Sequence, residues 1–325
     1  MTKAIVLHEP GGPEQLCWET VDVPAPGPNQ VAIRHTAIGV NYIDTYMRSG
    51  LYPVGLPGVI GQQGVGEVTA LGKNVSRFAV GDKVSYGAAP VGAYAEERVV
   101  DSDPLVKLPF GISDELAAAT QLRGMTAEYL LFRLYSVEQG DYVIVHAATG
   151  GTGVIMAQWA SALGACVIGT VGSSSRFDQA RASGCDLVLE YQDPKFIEKV
   201  TDFTDGALCD VVYDSVGKDT FDTSLRCVKR RGMMVAYGNG SGAPDPIEVL
   251  NLMRQGSVYL TRPRLDDYAT TIKETEACAA RFFNAVVSGE VTPRAAQTFQ
   301  LQDAPAAHRH LEDREQLTTP VLMVN

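Results

Sequence analysis

The sequence predicts an α/β protein in which an open, doubly wound parallel sheet with helices on both faces is joined to a smaller β barrel or sandwich. Three observations carry this. From Gly140 onward, apolar strand-like runs alternate with helical stripes, the rhythm of βαβ units. Between the first such run and its helix stands a glycine turn, Gly150, Gly151 and Gly153. Residues 1 to about 120 are instead short alternating segments punctuated by Pro and Gly, the pattern of an all-β unit.

Composition sets the outer bounds. The 325 residues leave room for one large or two ordinary domains. The apolar and charged fractions, 45% and 20%, are those of a globular chain. A net charge of −11 argues against nucleic acid or an acidic membrane as partner. The six cysteines are scattered, with no CxxC and no zinc-like spacing, so buried reduced thiols are expected. No basic segment followed by an apolar one opens the chain, and the apolar run Val143 to Val171 is broken by glycines, His146 and Gln158. Cytoplasm without membrane attachment is the expected compartment.

In the first part, Val31 to Thr36 alternates, Glu67 to Leu71 follows a glycine-dense loop, Gly81-Asp82 is a turn before Lys83 to Tyr86, and Ala93 to Val100 reads as a further strand. Ser113, with Asp114 and Glu115 after it, is a helix N-cap with acids in the first turn. A second helical segment runs through Tyr129 and Leu134. Strands then follow at Tyr142 to Ala148, Cys166 to Val171, Leu187 to Tyr191, Cys209 to Tyr213, Met233 to Tyr237 and Ser257 to Thr261. Helical stripes lie between them: Met156, Trp159, Ala160 and Leu163; Phe196, Ile197, Val200 and Phe203; Phe221, Leu225 and Val228. A long helix is expected around Thr270 to Ser288, and the apolar tail Val321 to Val324 is expected to pair back onto the first domain.

The chemistry starts at the glycine turn. Ala147xxGly150xxGly153 sits between a buried strand and an amphipathic helix, where bare N–H groups and the positive helix end meet a pyrophosphate. NAD binders place an acid near the end of the next strand for the ribose 2′-hydroxyl. Here the strand ends Ile168, Gly169, Thr170, Val171, Gly172, and Ser173, Ser174, Ser175 and Arg176 follow. Hydroxyls and a guanidinium suit a 2′-phosphate, so the expected cofactor is NADPH. A purely solvated Arg176 is the competing reading. It is weakened because a cation near a helix N-terminus is disfavoured unless an anion joins it.

Other features have plain readings. Lys229, Arg230 and Arg231 are expected to end the helix of Leu225, with Gly232 closing it. His308 and His310 are two apart on a helix and point to different sides, wrong for a shared metal. His146 is expected to be a hydrogen-bonded core residue.

Over nearly its whole length the chain resembles the zeta-crystallin-type quinone oxidoreductases of the medium-chain dehydrogenase/reductase superfamily. The resemblance is carried by GVNYIDTYMRSGLYP (39–53), Gly140 to Ser161, GTVGSSSR (169–176), VVYDSVG (211–217), RRGMMVAYGN (230–239) and YLTRP (259–263). It implies a GroES-like β-barrel domain at residues 1–122, a Rossmann NADPH-binding domain at 123–265, and a segment 266–325 returning to the first domain. Zinc-dependent relatives hold their metal with Cys and His. Asn41 stands here where the first Cys ligand would, and Gly61-Gln62-Gln63 where a GHE motif would. Amide oxygens are poor zinc ligands, and no Cys lies between Cys17 and Cys166 to build a structural zinc lobe, so no metal is expected.

By the same resemblance Asn41, Asp44, Tyr46, Tyr52 and Thr126 face nicotinamide and substrate, with Tyr46 or Tyr52 the donor to the substrate oxygen. Cofactor contacts would be Asn41, Tyr129, Gly150, Gly151, Thr152, Gly153, Ser173, Arg176, Tyr191, Ser215, Gly238 and Asn239. Two departures stand out. Gln63 replaces the usual Glu of GxExxG, and Thr319-Pro320 stands where relatives carry a cofactor contact. The expected function is hydride transfer from NADPH to a small-molecule quinone. Alternatives are reduction of an enone or alkenal double bond, or a non-catalytic NADPH-binding role, RNA-binding or crystallin-like. The alternating strand Ser257 to Thr261 suggests pairing with its twin in a homodimer.

Overall fold

In the computed structural model, which describes residues 1–88, 90–313 and 315–324, the chain divides into two units. One comprises Met1–Met125, Ala269–Val287 and Arg294–Asn325; the other comprises Thr126–Tyr268 and Ser288–Pro293.

The first unit begins with β1 (Thr2–Leu7), β2 (Leu16–Val21), β3 (Gln30–Gly39), α1 (Tyr42–Arg48), β4 (Gly58–Val59), β5 (Gly64–Leu71), β6 (Lys83–Tyr86), β7 (Glu97–Asp101) and β8 (Val106–Lys107). The strands β2, β1 and β4 form an antiparallel sheet, while β3 is the spine of a larger one. One edge of β3 pairs with β5, and its start pairs antiparallel with β7. Val31, Ile33 and His35 are buried while Arg34 is exposed, the alternation that a half-buried strand requires. Ile5, Leu7, Ile33, Val68 and Val84 meet in a single core. Then α2 (Asp114–Tyr129) starts at Ser113, whose Oγ accepts from the Leu116 N–H across 3.1 Å. It runs into a π-helical turn, Leu130–Leu134.

The second unit alternates β9 (Tyr142–Val145), α3 (Gly151–Ala162), β10 (Cys166–Val171), α4 (Phe177–Ala182), β11 (Leu187–Glu190), α5 (Phe196–Phe203), β12 (Cys209–Asp214), α6 (Phe221–Arg226), β13 (Val228–Ala236), α7 (Val249–Arg254) and β14 (Tyr259–Thr261). All six strands are parallel, in the order β11-β10-β9-β12-β13-β14. Strand order reverses between β9 and β12, so the crevice that receives ligands in such sheets lies beyond their carboxyl ends.

The chain ends with α8 (Ile272–Val287), β15 (Ala296–Gln300), α9 (Ala304–Glu312) and β16 (Thr319–Met323), of which β16 pairs antiparallel with β3 through Val321↔Gly39 and Leu322↔Ile38. The apolar tail thus pairs back onto the first unit's sheet, between β3 and β15, as its sequence implied. Gly124 lets α8 come close, since a Cβ there would stand 2.2 Å from the Phe282 ring.

One expectation is corrected. Lys229, Arg230 and Arg231 do not end a helix: α6 stops at Arg226, and the three cations lie within β13. The helical spacing of Phe221, Leu225 and Val228 stops being helical after Leu225, because Val228 pairs with Cys209 in the parallel ladder. Lys229 forms an ion pair with Asp210, and Arg231 takes a left-handed φ of 60° where the register shifts. Gly232 is therefore a strand residue whose missing Cβ would lie 2.9 Å from the Asp210 carbonyl, and not a helix terminator. All six cysteines are free thiols. Among the described residues, no helix is long and apolar enough to cross a membrane.

Candidate functional site

The second unit supplies a set of turns at the carboxyl ends of five neighbouring strands. After β9, Ala147 adopts a left-handed φ of 50°, and its carbonyl accepts from the Gly150 N–H at 2.7 Å. A Cβ on Gly153 would come within 2.1 Å of that carbonyl, so only glycine lets the first turn of α3 sit against the strand end. Gly150 caps α3 without any side-chain hydrogen bond. The N–H groups of Gly151, Thr152 and Gly153 therefore form an uncapped positive helix end, a setting suited to a pyrophosphate.

After β10, Ser173 Oγ accepts from the Ser175 N–H, and Arg176 closes the short 3-10 turn beside the glycine turn's strand. Tyr191 follows β11; its N–H donates to the Val171 carbonyl at 3.2 Å, and its ring reaches 3.5 Å from where a Gly172 Cβ would be. Ser215 follows β12 and its Oγ approaches the His146 carbonyl at 3.5 Å. Gly238 follows β13 and packs on Ser215, where a Cβ would lie 2.4 Å from the Ser215 carbonyl; Asn239 is next to it. Tyr129, at the end of α2, is buried and stacks on Tyr268 with centroids 4.7 Å apart. Thr126 is half-buried on α2.

The first unit holds Asn41, Asp44, Tyr46 and Tyr52 on or beside α1. Asn41 is the N-cap residue, and Asp44, three residues on, accepts from the Asn41 backbone N–H at 2.9 Å. Asn41 Nδ2 donates to Gln63 Oε1 at 2.8 Å, while Gln63 Nε2 donates to the Ala117 carbonyl at 2.9 Å. Val40 donates its N–H to the Pro320 carbonyl at 3.4 Å, so Thr319-Pro320 supports the backbone leading into Asn41. The Tyr46 and Tyr52 rings meet edge to face, 5.4 Å apart and both half-buried, with Tyr42 exposed on the same helix.

Asp44 is fully buried. Its Oδ2 also accepts from the Tyr94 hydroxyl at 3.0 Å, while its Oδ1 has no partner among the described residues. Burial pushes its pKa up to about 7, against the backbone N–H of Asn41, the Tyr94 hydroxyl and the Arg123 charge, which all favour the carboxylate. Beyond Tyr94 the hydrogen bonds run on to His308 Nε2 at 3.0 Å, and Arg48 Nη1 donates to His308 Nδ1 at 3.0 Å. Arg48 also forks onto both carboxylate oxygens of Glu312, at 2.8 and 3.0 Å. Guanidinium only donates, so His308 Nδ1 accepts and Nε2 carries the proton given to Tyr94 oxygen. That leaves the Tyr94 proton for Asp44. Burial, then the Arg48 charge, hold His308 down to about 3, keeping the ring neutral.

This Asp44–Tyr94–His308–Arg48–Glu312 series was not visible in the sequence, because its members are scattered from residue 44 to residue 312 with no shared spacing. His308 and His310 do diverge, His310 Nε2 meeting Thr318 Oγ1 at 2.9 Å. His146 is a hydrogen-bonded core residue, as expected. The donor set at Asn41 does not suit zinc: an amide, hydrogen-bonded to the Gln63 amide, stands where a thiolate would be needed, and Gln62 stands in place of the imidazole. Among the described residues, no three His, Cys, Asp or Glu side chains come together in a metal-binding group.

The profile of a family described as alcohol dehydrogenase GroES-like domain matches residues 27–137, and that of a family described as zinc-binding dehydrogenase matches 151–277. A quinone oxidoreductase from Pseudomonas aeruginosa is 44% identical over 99% of this chain and 100% of its own. A 2-haloacrylate reductase from a Burkholderia species is 42% identical, covering 99% of both chains. The crystal structure of Escherichia coli quinone oxidoreductase complexed with NADPH superposes with a TM-score of 0.95 at 39% identity, over 99% of this chain and 100% of that one.

Proposed function

Because the chain belongs to the quinone oxidoreductase family of the medium-chain dehydrogenase/reductase superfamily, we propose that it is an NADPH-dependent quinone reductase that works without a metal. The observation that carries the reading is the Asn41–Gln63 amide pair. It puts an amide in the place of the first zinc ligand, Cys, and ties that amide to Gln63, which is itself bonded to the Ala117 carbonyl.

NADPH fits the turns of the second unit. The uncapped start of α3 would take its pyrophosphate, Ser173 and Arg176 the 2′-phosphate, Tyr191 the adenine side, and Ser215, Gly238 and Asn239 the remaining contacts. When bound, it supplies the hydride. The chain's own part is to orient, to exclude water and to stabilise charge on the substrate oxygen. The Tyr46–Tyr52 pair offers an aromatic wall and a hydroxyl for a planar quinone, and Asp44 holds the start of α1 through the Asn41 N–H. We assign Asn41, Thr126 and Tyr129 to the nicotinamide side.

Quinones are the preferred substrates. The enone or alkenal reading rests on one relative named for 2-haloacrylate reduction. Steady-state kinetics with naphthoquinone and a 2-alkenal separate the two: a far higher kcat/KM for the alkenal would overturn the quinone reading. The non-catalytic reading has no support, since these relatives are named as enzymes.

We further propose a homodimer formed edge to edge through β14. That strand ends the parallel sheet with Tyr259 exposed, and Val249, Leu250 and Met253 are exposed on the preceding helix α7. The six free thiols fit a reducing, cytoplasmic setting.

A further inference from the structure

Where the paired ladder of β9 with β10 and β12 ends, buried side chains add to the cross-linking. The ladder pairs Gly169, Val145 and Tyr213 side by side across β10, β9 and β12. The next residue on each strand is polar: Thr170, His146 and Asp214. With Ser224 from α6 they hydrogen-bond in series, and none is more than 1% exposed. Thr170 Oγ1 lies 2.9 Å from His146 Nδ1, His146 Nε2 lies 2.8 Å from Ser224 Oγ, and Ser224 Oγ donates to Asp214 Oδ2 at 2.7 Å.

The direction of every bond is determined. A carboxylate only accepts, so the single Ser224 proton goes to Asp214. His146 Nε2 must then carry the proton given to Ser224, and Nδ1 accepts from the Thr170 hydroxyl. Burial lowers the His146 pKa even with Asp214 nearby, so the ring is neutral and has the one N–H and one lone pair that the series needs. Its face stacks on Phe196, 15° from parallel.

Both ends of the series hold turns. Thr170 Oγ1 accepts from the N–H of Ala147, the left-handed residue that opens the glycine turn, at 3.3 Å. Asp214 Oδ1 accepts from the N–H groups of Val216 and Gly217 at 2.8 and 2.9 Å, and the Thr220 hydroxyl donates to the same carboxylate. Ser215 is thereby held in a turn gripped on both sides. Its carbonyl accepts from the Gly240 N–H at 3.1 Å, which ties in the loop of Gly238 and Asn239.

We propose that Thr170, His146, Ser224 and Asp214 are positioning residues for the dinucleotide: their series sets the glycine turn against the Ser215–Gly217 turn so that one NADPH meets both. This rests on the reading of those turns as the NADPH site. None of the four touches the cofactor in this account; they act through the turns they hold.

The test is NADPH titration of the full chain, followed by fluorescence. His146→Leu keeps the volume and removes both polar atoms, and should raise the NADPH Kd at least about tenfold. Gln offers an amide N–H for Ser224 and a carbonyl for Thr170, so His146→Gln should stay within about threefold of the parent protein. Ser224→Ala, which removes the acceptor of His146 Nε2 and one donor to Asp214 Oδ2, should weaken NADPH binding by at least about fivefold and is the second reading if His146→Leu does not fold. The quinone KM at saturating NADPH should not move. A merely structural role would lower the melting temperature of His146→Leu and Ser224→Ala and leave both Kd values at the parental level; that result overturns the proposal. Failure of the parent protein to bind NADPH would instead overturn the reading of the site.

Discussion

The Tyr94 hydroxyl donates to Asp44 across 3.0 Å in a fully buried setting, and none of the described residues pairs with the other carboxylate oxygen of Asp44. This half-satisfied carboxyl should show itself as a pH dependence. Its folded pKa of about 7 lies above the unfolded carboxylate's. The unfolded value is ~3.9. The folded state therefore binds the extra proton in that window, so stability is greatest below it and is lost as pH rises through 7, by up to about 1.4 kcal/mol per pH unit. His35, lowered to about 4, and His308, lowered to about 3, act in the opposite sense and lose stability as pH falls. Comparing the parent protein with Asp44→Asn by urea unfolding between about pH 5 and 8 isolates the carboxyl. The parent should lose ground to the variant up to pH 7 and then level off. A pH-independent difference would show that Asp44 is already ionised throughout.

Replacing Gln63 by Glu tests the amide pair. The Ala117 carbonyl now receives an N–H from Gln63, which an ionised Glu cannot provide. Gln63→Glu should cost about 1–3 kcal/mol at neutral pH, with recovery on acidification as the buried carboxyl takes a proton. Chemical denaturation at two pH values reads it directly. An unaltered midpoint at both would mean that the Ala117 bond contributes nothing.

Arg176→Ala should raise the NADPH KM by about 10- to 100-fold, the loss of charge-assisted bonds to a phosphate, and leave the NADH KM within about twofold. An equal effect on both cofactors would assign Arg176 to something other than the 2′-phosphate.

Placing Glu at both Val249 and Met253 puts two charges on the exposed face of α7. Sedimentation equilibrium of the parent should give twice the chain mass and of the double variant the mass of one chain. A monomeric parent removes the dimer reading altogether.

The parallel sheet was legible because its strands are local apolar runs, and the turn at Gly150 to Gly153 because close approach demands glycine there. Lys229 to Arg231 misled because periodicity cannot see that Val228 pairs with Cys209 some twenty residues earlier. That amides stand in place of the Cys and His ligands could be read at Asn41 and Gln62. That the Asn41 and Gln63 side chains bond each other could not, since residues 41 and 63 meet only once β3 and β5 pair. The same holds for His308, whose partners Tyr94 and Arg48 lie more than 200 residues away in sequence.

The most direct test of the account is NADPH oxidation by a naphthoquinone after exhaustive chelation. Metal-free, NADPH-specific reduction predicts an undiminished kcat in chelator-treated protein, no gain on adding zinc, and a kcat/KM for NADPH at least about tenfold above that for NADH. Loss of activity on chelation with recovery by zinc, or a preference for NADH, would contradict it.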